Sequence, residues 1–194
     1  MGQTVGLHDR AISNLKFIRD TMERSAAFTA VPGWGGVLMG VSALVAAYVA
    51  ATRTTAHEWM VTWVTEAGVG VSIGILMMLV KARGGNHSLT SNAARKFALS
   101  FAPPIVAGML LTPVLYNASL IRAIPGLWLL LYGVAVISGG AFSVGAVPIM
   151  GVCFVLWGGL ALNYPLWWGN VFLAGGFGGL HIVFGLFIAR KHGG

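Results

Sequence analysis

Six segments of this chain each run for about the width of a bilayer without a lysine or arginine inside them, and that limits what the chain can fold into. They cover residues 31–51, 59–80, 97–116, 124–142, 144–162 and 167–189. A span needs about 20 mostly apolar residues. In lipid, a backbone whose polar groups are all satisfied within one segment is a helix. The expected fold is therefore all-α: a polytopic membrane bundle of six transmembrane helices over residues 31–194, led by an amphipathic cytoplasmic helix within residues 1–30. Composition agrees. Charged residues make up 9% of the chain, against about 25% in a soluble domain, too few to cover a water-facing surface.

Charge placement orients the bundle. Arg10, Lys16, Arg19 and Arg24 precede the first span, Lys81, Arg83, Arg95 and Lys96 fill the second connection, and Arg190 and Lys191 follow the last. Only Arg53 and Arg122 fall on the opposite side. Basic residues collect on the cytoplasmic side, so both termini are expected in the cytoplasm of a bacterial inner membrane. Trp59, Trp63, Tyr116, Trp128, Trp167 and Trp168 mark the outer boundary as an aromatic belt. The net charge of +7 is spent on orientation, and no nucleic-acid partner is expected.

Residues 8–28 carry four basic and three acidic side chains. Ile12, Leu15, Ile18 and Met22 recur at helical spacing and define an apolar stripe. That stripe can dock on the bundle, lie on the inner membrane surface or bind a cytoplasmic protein, and docking is the ordinary fate of such a face.

Within the spans, Glu66 and His181 are the only ionisable acid and imidazole. Intramembrane ionisable groups are costly, so function is the default expectation for them. His181 lies nine residues before Arg190, ~13 Å from the inner boundary, and Glu66 lies seven residues past Trp59, ~10 Å from the outer one. In a core of about 30 Å their heights differ by only ~7 Å, so an acid–imidazole pair is within reach. Such a pair could hold a proton or line a cation path. The bland alternatives are a neutral histidine bonding two helices together and a protonated Glu66 bonded to a nearby carbonyl.

Gly175, Gly178 and Gly179 precede His181. Either neighbouring helices press in there, or the glycines leave room for a ligand. Haem at His181 is the cofactor alternative, weakened by the lack of a second histidine within a span; otherwise no cofactor and no metal are expected. Pro103 and Pro104 remove two backbone donors, so the third span is expected to be kinked or broken and to offer a further site. Small residues at Gly36/Gly40, Gly70/Gly74 and Gly175/Gly179 suggest close helix packing, and a homodimer is one use of it. "VPGWGGVLMGVSAL" and "IPGLWLLLYGVAVI" align Gly33 with Gly126 and Gly40 with Gly133, a weak hint of an inverted repeat. No nucleophile elbow, metal-spaced histidines or phosphate-binding loop is present, so no enzyme is expected.

The blocks "FIRDTMERSAAFTAVPGWGG", "RKFALSFAPP", "GLWLLLYG" and "GGFGGLHIVFG" resemble those of a family of small bacterial multi-pass inner-membrane proteins without assigned activity. The resemblance implies the fold above and no catalytic residues, and a sensing or stress-response role. Two functional expectations follow. One is a non-catalytic membrane sensor or interaction subunit using Ile12, Leu15, Ile18 and Met22. The other is a small proton- or ion-coupled transporter centred on Glu66 and His181.

Overall fold

The computed structural model describes residues 6, 10–18, 28–84 and 89–192, and over these the chain is helical without a named strand. The helices are α1 (Gly33–Ala51), α2 (Ala56–Gly84), α3 (Asn92–Asn117), α4 (Ile124–Gly140), α5 (Ala146–Ala161) and α6, a continuous rod over Leu166–Lys191. Among the described residues, five helices are long and apolar enough to cross a membrane, with α4 counted from a lead-in turn at Ile121–Ala123. The 16-residue α5 is as apolar but shorter.

Local chemistry sets the helix starts. Pro32 stands just ahead of α1 and Pro125 in the first turn of α4, where a missing N–H costs nothing. Thr55 and Glu58 form a reciprocal capping box ahead of α2: the Glu58 amide donates to Thr55 Oγ1 at 3.2 Å and the Thr55 amide to Glu58 Oε2 at 3.3 Å. Ser91 caps α3 by accepting from the Ala94 amide at 3.1 Å.

Two glycine seams organise the packing. On the first, α1 runs antiparallel to α6. A Cβ on Gly40 would lie 2.6 Å from the Gly178 carbonyl, one on Gly185 2.7 Å from the Val37 amide, and one on Gly33 would strike the Ala189 backbone. On the second, α4 runs antiparallel to α5. Gly126, Gly133 and Gly140 recur every seven residues and face α5, while Gly151 and Gly158 face back. There a Cβ on Gly133 would sit 2.8 Å from the Gly151 carbonyl, and one on Gly158 2.7 Å from the Leu130 amide. Side chains are excluded, so backbones approach until dispersion contacts are made directly between them. The glycines that match in sequence, Gly40 and Gly133, meet α6 and α5 respectively.

Around these seams α1 sits between α2 and α6, α4 sits between α3 and α5, and α6 also touches α4 and α5. Leu129 and Phe154 are fully buried at the centre. Helices α2 and α3 lie on the outside, each packed chiefly along one neighbour.

A second small cluster closes one end. Phe28 and Ala30 are buried with Ala93 and Ala94. The Phe28 amide donates to the Phe142 carbonyl at 2.7 Å, Ser143 Oγ donates to the Phe28 carbonyl at 2.6 Å, and the Phe28 ring meets Phe97 at 5.0 Å. The segment leading into α1 is thus fastened to the α4–α5 turn. Lys81 adds a hydrogen bond from its ammonium to the Val31 carbonyl at 3.0 Å.

Two expectations are corrected. The third span is not broken: α3 continues through Pro103, Pro104 and Pro113 as one helix. Pro103 is exposed and Pro104 half-buried, so the rings stand at the periphery of the bundle. The N-terminal stripe is also not docked where it is described. Residues 10–18 are helical and exposed throughout, with Ile12, Leu15 and Ile18 at 52%, 67% and 53% of full accessibility. Met22 lies outside the described residues.

Candidate functional site

His181 begins the last α-helical stretch of α6, directly after a widened π-helical segment, Ala174–Leu180. Its ring is 4% exposed. Nε2 lies 2.7 Å from the Tyr132 hydroxyl on α4, and Nδ1 is buried without a hydrogen-bond partner. Proton counting selects the tautomer. If Tyr132 donates to Nε2, the only orphan is the Nδ1 proton. The reverse arrangement would strand both Nδ1 and the tyrosine hydroxyl proton, and each orphan costs about 1–3 kcal/mol. Of the two neutral tautomers, the one that accepts from Tyr132 at Nε2 is favoured. Aromatic rings enclose the pair: Phe154 lies 5.3 Å from the imidazole and 4.9 Å from the tyrosine, and Phe177 stacks on the imidazole at 6.1 Å.

The π segment explains why this cluster closes so tightly. Its sequence, AGGFGGL, offers little side-chain bulk, and each gap is filled from outside. Leu129 occupies the space a Cβ on Gly176 would need. Leu44 fills that at Gly178 to within 2.5 Å, and Trp157 fills that at Gly175 to within 2.8 Å; only Gly179 faces open space. A change from i→i+4 to i→i+5 pairing disrupts the carbonyl register at its junction. There the Phe172 carbonyl accepts the Trp157 indole N–H at 2.8 Å. Of the two readings of the glycine run, neighbouring helices press in. The residues do not fit a haem at this place: Nε2 is engaged by Tyr132, and the faces of Gly175, Gly176 and Gly178 are filled by side chains.

Glu66 sits elsewhere. It projects from α2 toward α1, half-buried, with Oε1 2.7 Å from Ser42 Oγ. The same Ser42 oxygen lies 2.9 Å from the Met39 carbonyl. Glu66 and His181 share no hydrogen bond: one is joined to α1 and the other to α4. Their similar heights did not reveal that they project toward different neighbours. Pro103 and Pro104, on α3, belong to neither group.

No family model matches the chain, and no match is found among curated proteins or solved structures. Among the described residues no cluster of His, Cys, Asp and Glu could hold a metal ion.

Sequence reasoning missed a well-connected polar residue at the end of the bundle that carries Trp59 and Trp168. Asn170, on α6, accepts from both Trp59 Nε1 at 2.7 Å and Trp63 Nε1 at 3.0 Å on α2. The two tryptophans read as members of an interfacial belt fasten α2 to α6. A similar clamp joins α3 to α4: Trp128 Nε1 donates to Thr112 Oγ1 at 2.9 Å, and Thr112 donates onward to the Gly108 carbonyl at 2.7 Å. An asparagine alone within an apolar segment was the available signal for the first of these.

Proposed function

We propose that this chain is a six-span bacterial inner-membrane protein with cytoplasmic termini, acting as a non-catalytic sensor or interaction subunit through its N-terminal helix. The observation that carries the reading is the exposed apolar stripe of residues 10–18, with Ile12, Leu15 and Ile18 uncovered, beside a bundle whose histidine is already engaged. Met22 continues the stripe in sequence. Counting α5 as a span rests on its apolar character. Its 16 residues reach ~24 Å, a shortfall that bilayers accommodate by thinning at modest cost. The excess of basic residues on one side supports the orientation. A sensing or stress-response role is what the family resemblance implies.

Transport through a joint Glu66–His181 site has less support, because each group is hydrogen-bonded to a different helix. The test is quantitative co-purification of the full chain from native membranes. Leu15→Glu with Ile18→Glu should release a specific protein partner, while Glu66→Gln and His181→Ala retain it. If the stripe variant keeps the same partners and the two bundle variants lose them, the interaction reading fails.

A further inference from the structure

Ser42 has one hydroxyl proton and two oxygen neighbours at hydrogen-bond distance, the Met39 carbonyl at 2.9 Å and Glu66 Oε1 at 2.7 Å. A carboxylate would leave one of those contacts without a proton of its own. A carboxylic acid supplies it: Glu66 O–H donates to Ser42 Oγ, and Ser42 O–H donates back to the carbonyl three residues earlier, an ordinary contact for a helical serine.

The surroundings ask for the same state. Helix α1 carries no charged residue. On α2 the nearest cation candidates are His57, nine residues away or ~13 Å, and Lys81, fifteen residues away or ~22 Å. On α6, which reaches α2 through Asn170, His181 is held by Tyr132 and Arg190 and Lys191 lie at the far end. Among the described residues no countercharge reaches Glu66, and an uncompensated charge in hydrocarbon is expensive. Access is open beside it: Glu66 is only half-buried, Val69 is exposed, and Gly70, one turn on toward the same side, has nothing within 4 Å of where a Cβ would stand.

We infer that Glu66 is a neutral, proton-carrying carboxylic acid relayed through Ser42 to the Met39 carbonyl and reachable from the lipid, and hence a modification site for apolar reagents that attack protonated acids. This goes beyond the interaction role and does not depend on it. The chemical class of the ligand is a proton, and the probe is a hydrophobic carbodiimide. The acid's proton passes to a carbodiimide nitrogen while the carboxylate oxygen bonds to the central carbon. The resulting O-acylisourea then rearranges by O-to-N acyl transfer to an N-acylurea, so the adduct keeps the whole mass of the reagent and nothing leaves.

The test uses the full chain in phospholipid vesicles at neutral pH, with dicyclohexylcarbodiimide, peptide mass mapping and infrared spectroscopy. The expected result is one adduct at Glu66, absent in Glu66→Gln, and a neutral-acid carbonyl band lost in the same variant. Glutamine keeps the shape and a donor toward Ser42, so that variant should fold. Ser42→Ala provides the second arm: it should keep the adduct and shift the carbonyl band, because the acid loses its acceptor. A water-soluble carbodiimide should instead spare Glu66 and react at carboxylates outside the spans, the exposed Glu58 among them. A carboxylate band for Glu66 overturns the proton assignment. A neutral-acid band without an adduct overturns access from lipid, and an unmoved band in Ser42→Ala overturns the relay.

Discussion

The His181–Tyr132 contact is a single hydrogen bond between α6 and α4, yet both groups are buried and the imidazole already carries one orphan nitrogen. Tyr132→Phe should then cost about 1 kcal/mol, the usual scale for a polar contact between membrane helices. The check is thermal unfolding in detergent followed by circular dichroism. His181→Ala should cost more, since it also empties a space walled by Phe154 and Phe177. The sequence marked His181 and Glu66 correctly as unusual, because an ionisable side chain in an apolar run stands out without any structure. It could not say what they touch. Height along a helix follows from residue counting, but facing direction depends on crossing angles and on which helices are neighbours, and neither is local. Tyr132 was invisible for a related reason: a tyrosine in an apolar segment reads as a packing residue until its hydroxyl meets something.

The helices themselves were legible to within a few residues, because apolar length and flanking charge are one-dimensional signals. Their interfaces were not. Four-residue spacing pointed to Gly36/Gly40 and also to Gly70/Gly74, although Gly70 faces nothing and Gly74 meets only the flexible end of Met39 at 3.4 Å. The heptad glycines of α4 and α5 went unnoticed, since seven-residue spacing spans two turns and looks sparse when read in fours. The structure separates these glycines sharply. Gly40→Ala and Gly133→Ala place a methyl group against a carbonyl and should each destabilise by about 1–3 kcal/mol through overpacking. Gly68→Ala and Gly70→Ala have open space and should stabilise by about 0.5–1 kcal/mol, the usual gain for alanine in a helix. Parallel melting curves of the four variants would test this, and equal effects across the set would refute the seam assignment. The π segment was equally hidden: AGGFGGL is compatible with an ordinary helix, and the widening depends on neighbours that fill the vacated space.

For the molecule as a whole, the lead-in at Phe28 separates the exposed N-terminal helix from the bundle. Leu15→Glu with Ile18→Glu should leave the bundle's melting temperature unchanged, since both side chains are exposed. Phe28→Ala should lower it, at a cost of about 3 kcal/mol for an aromatic ring removed from a filled cluster. Differential scanning fluorimetry on both variants distinguishes the two. That the first and last helices are partners has a consequence for how the molecule is made. Helix α4 meets α5 as soon as the hairpin between them has been inserted. Helix α1 meets α2 just as early, but its Gly33, Gly36 and Gly40 face fits α6, which follows four other helices in the chain. During synthesis α1 must therefore wait in the lipid with a bare, backbone-lined groove, the surface most in need of a chaperone or insertase, and the bundle closes in a single late step.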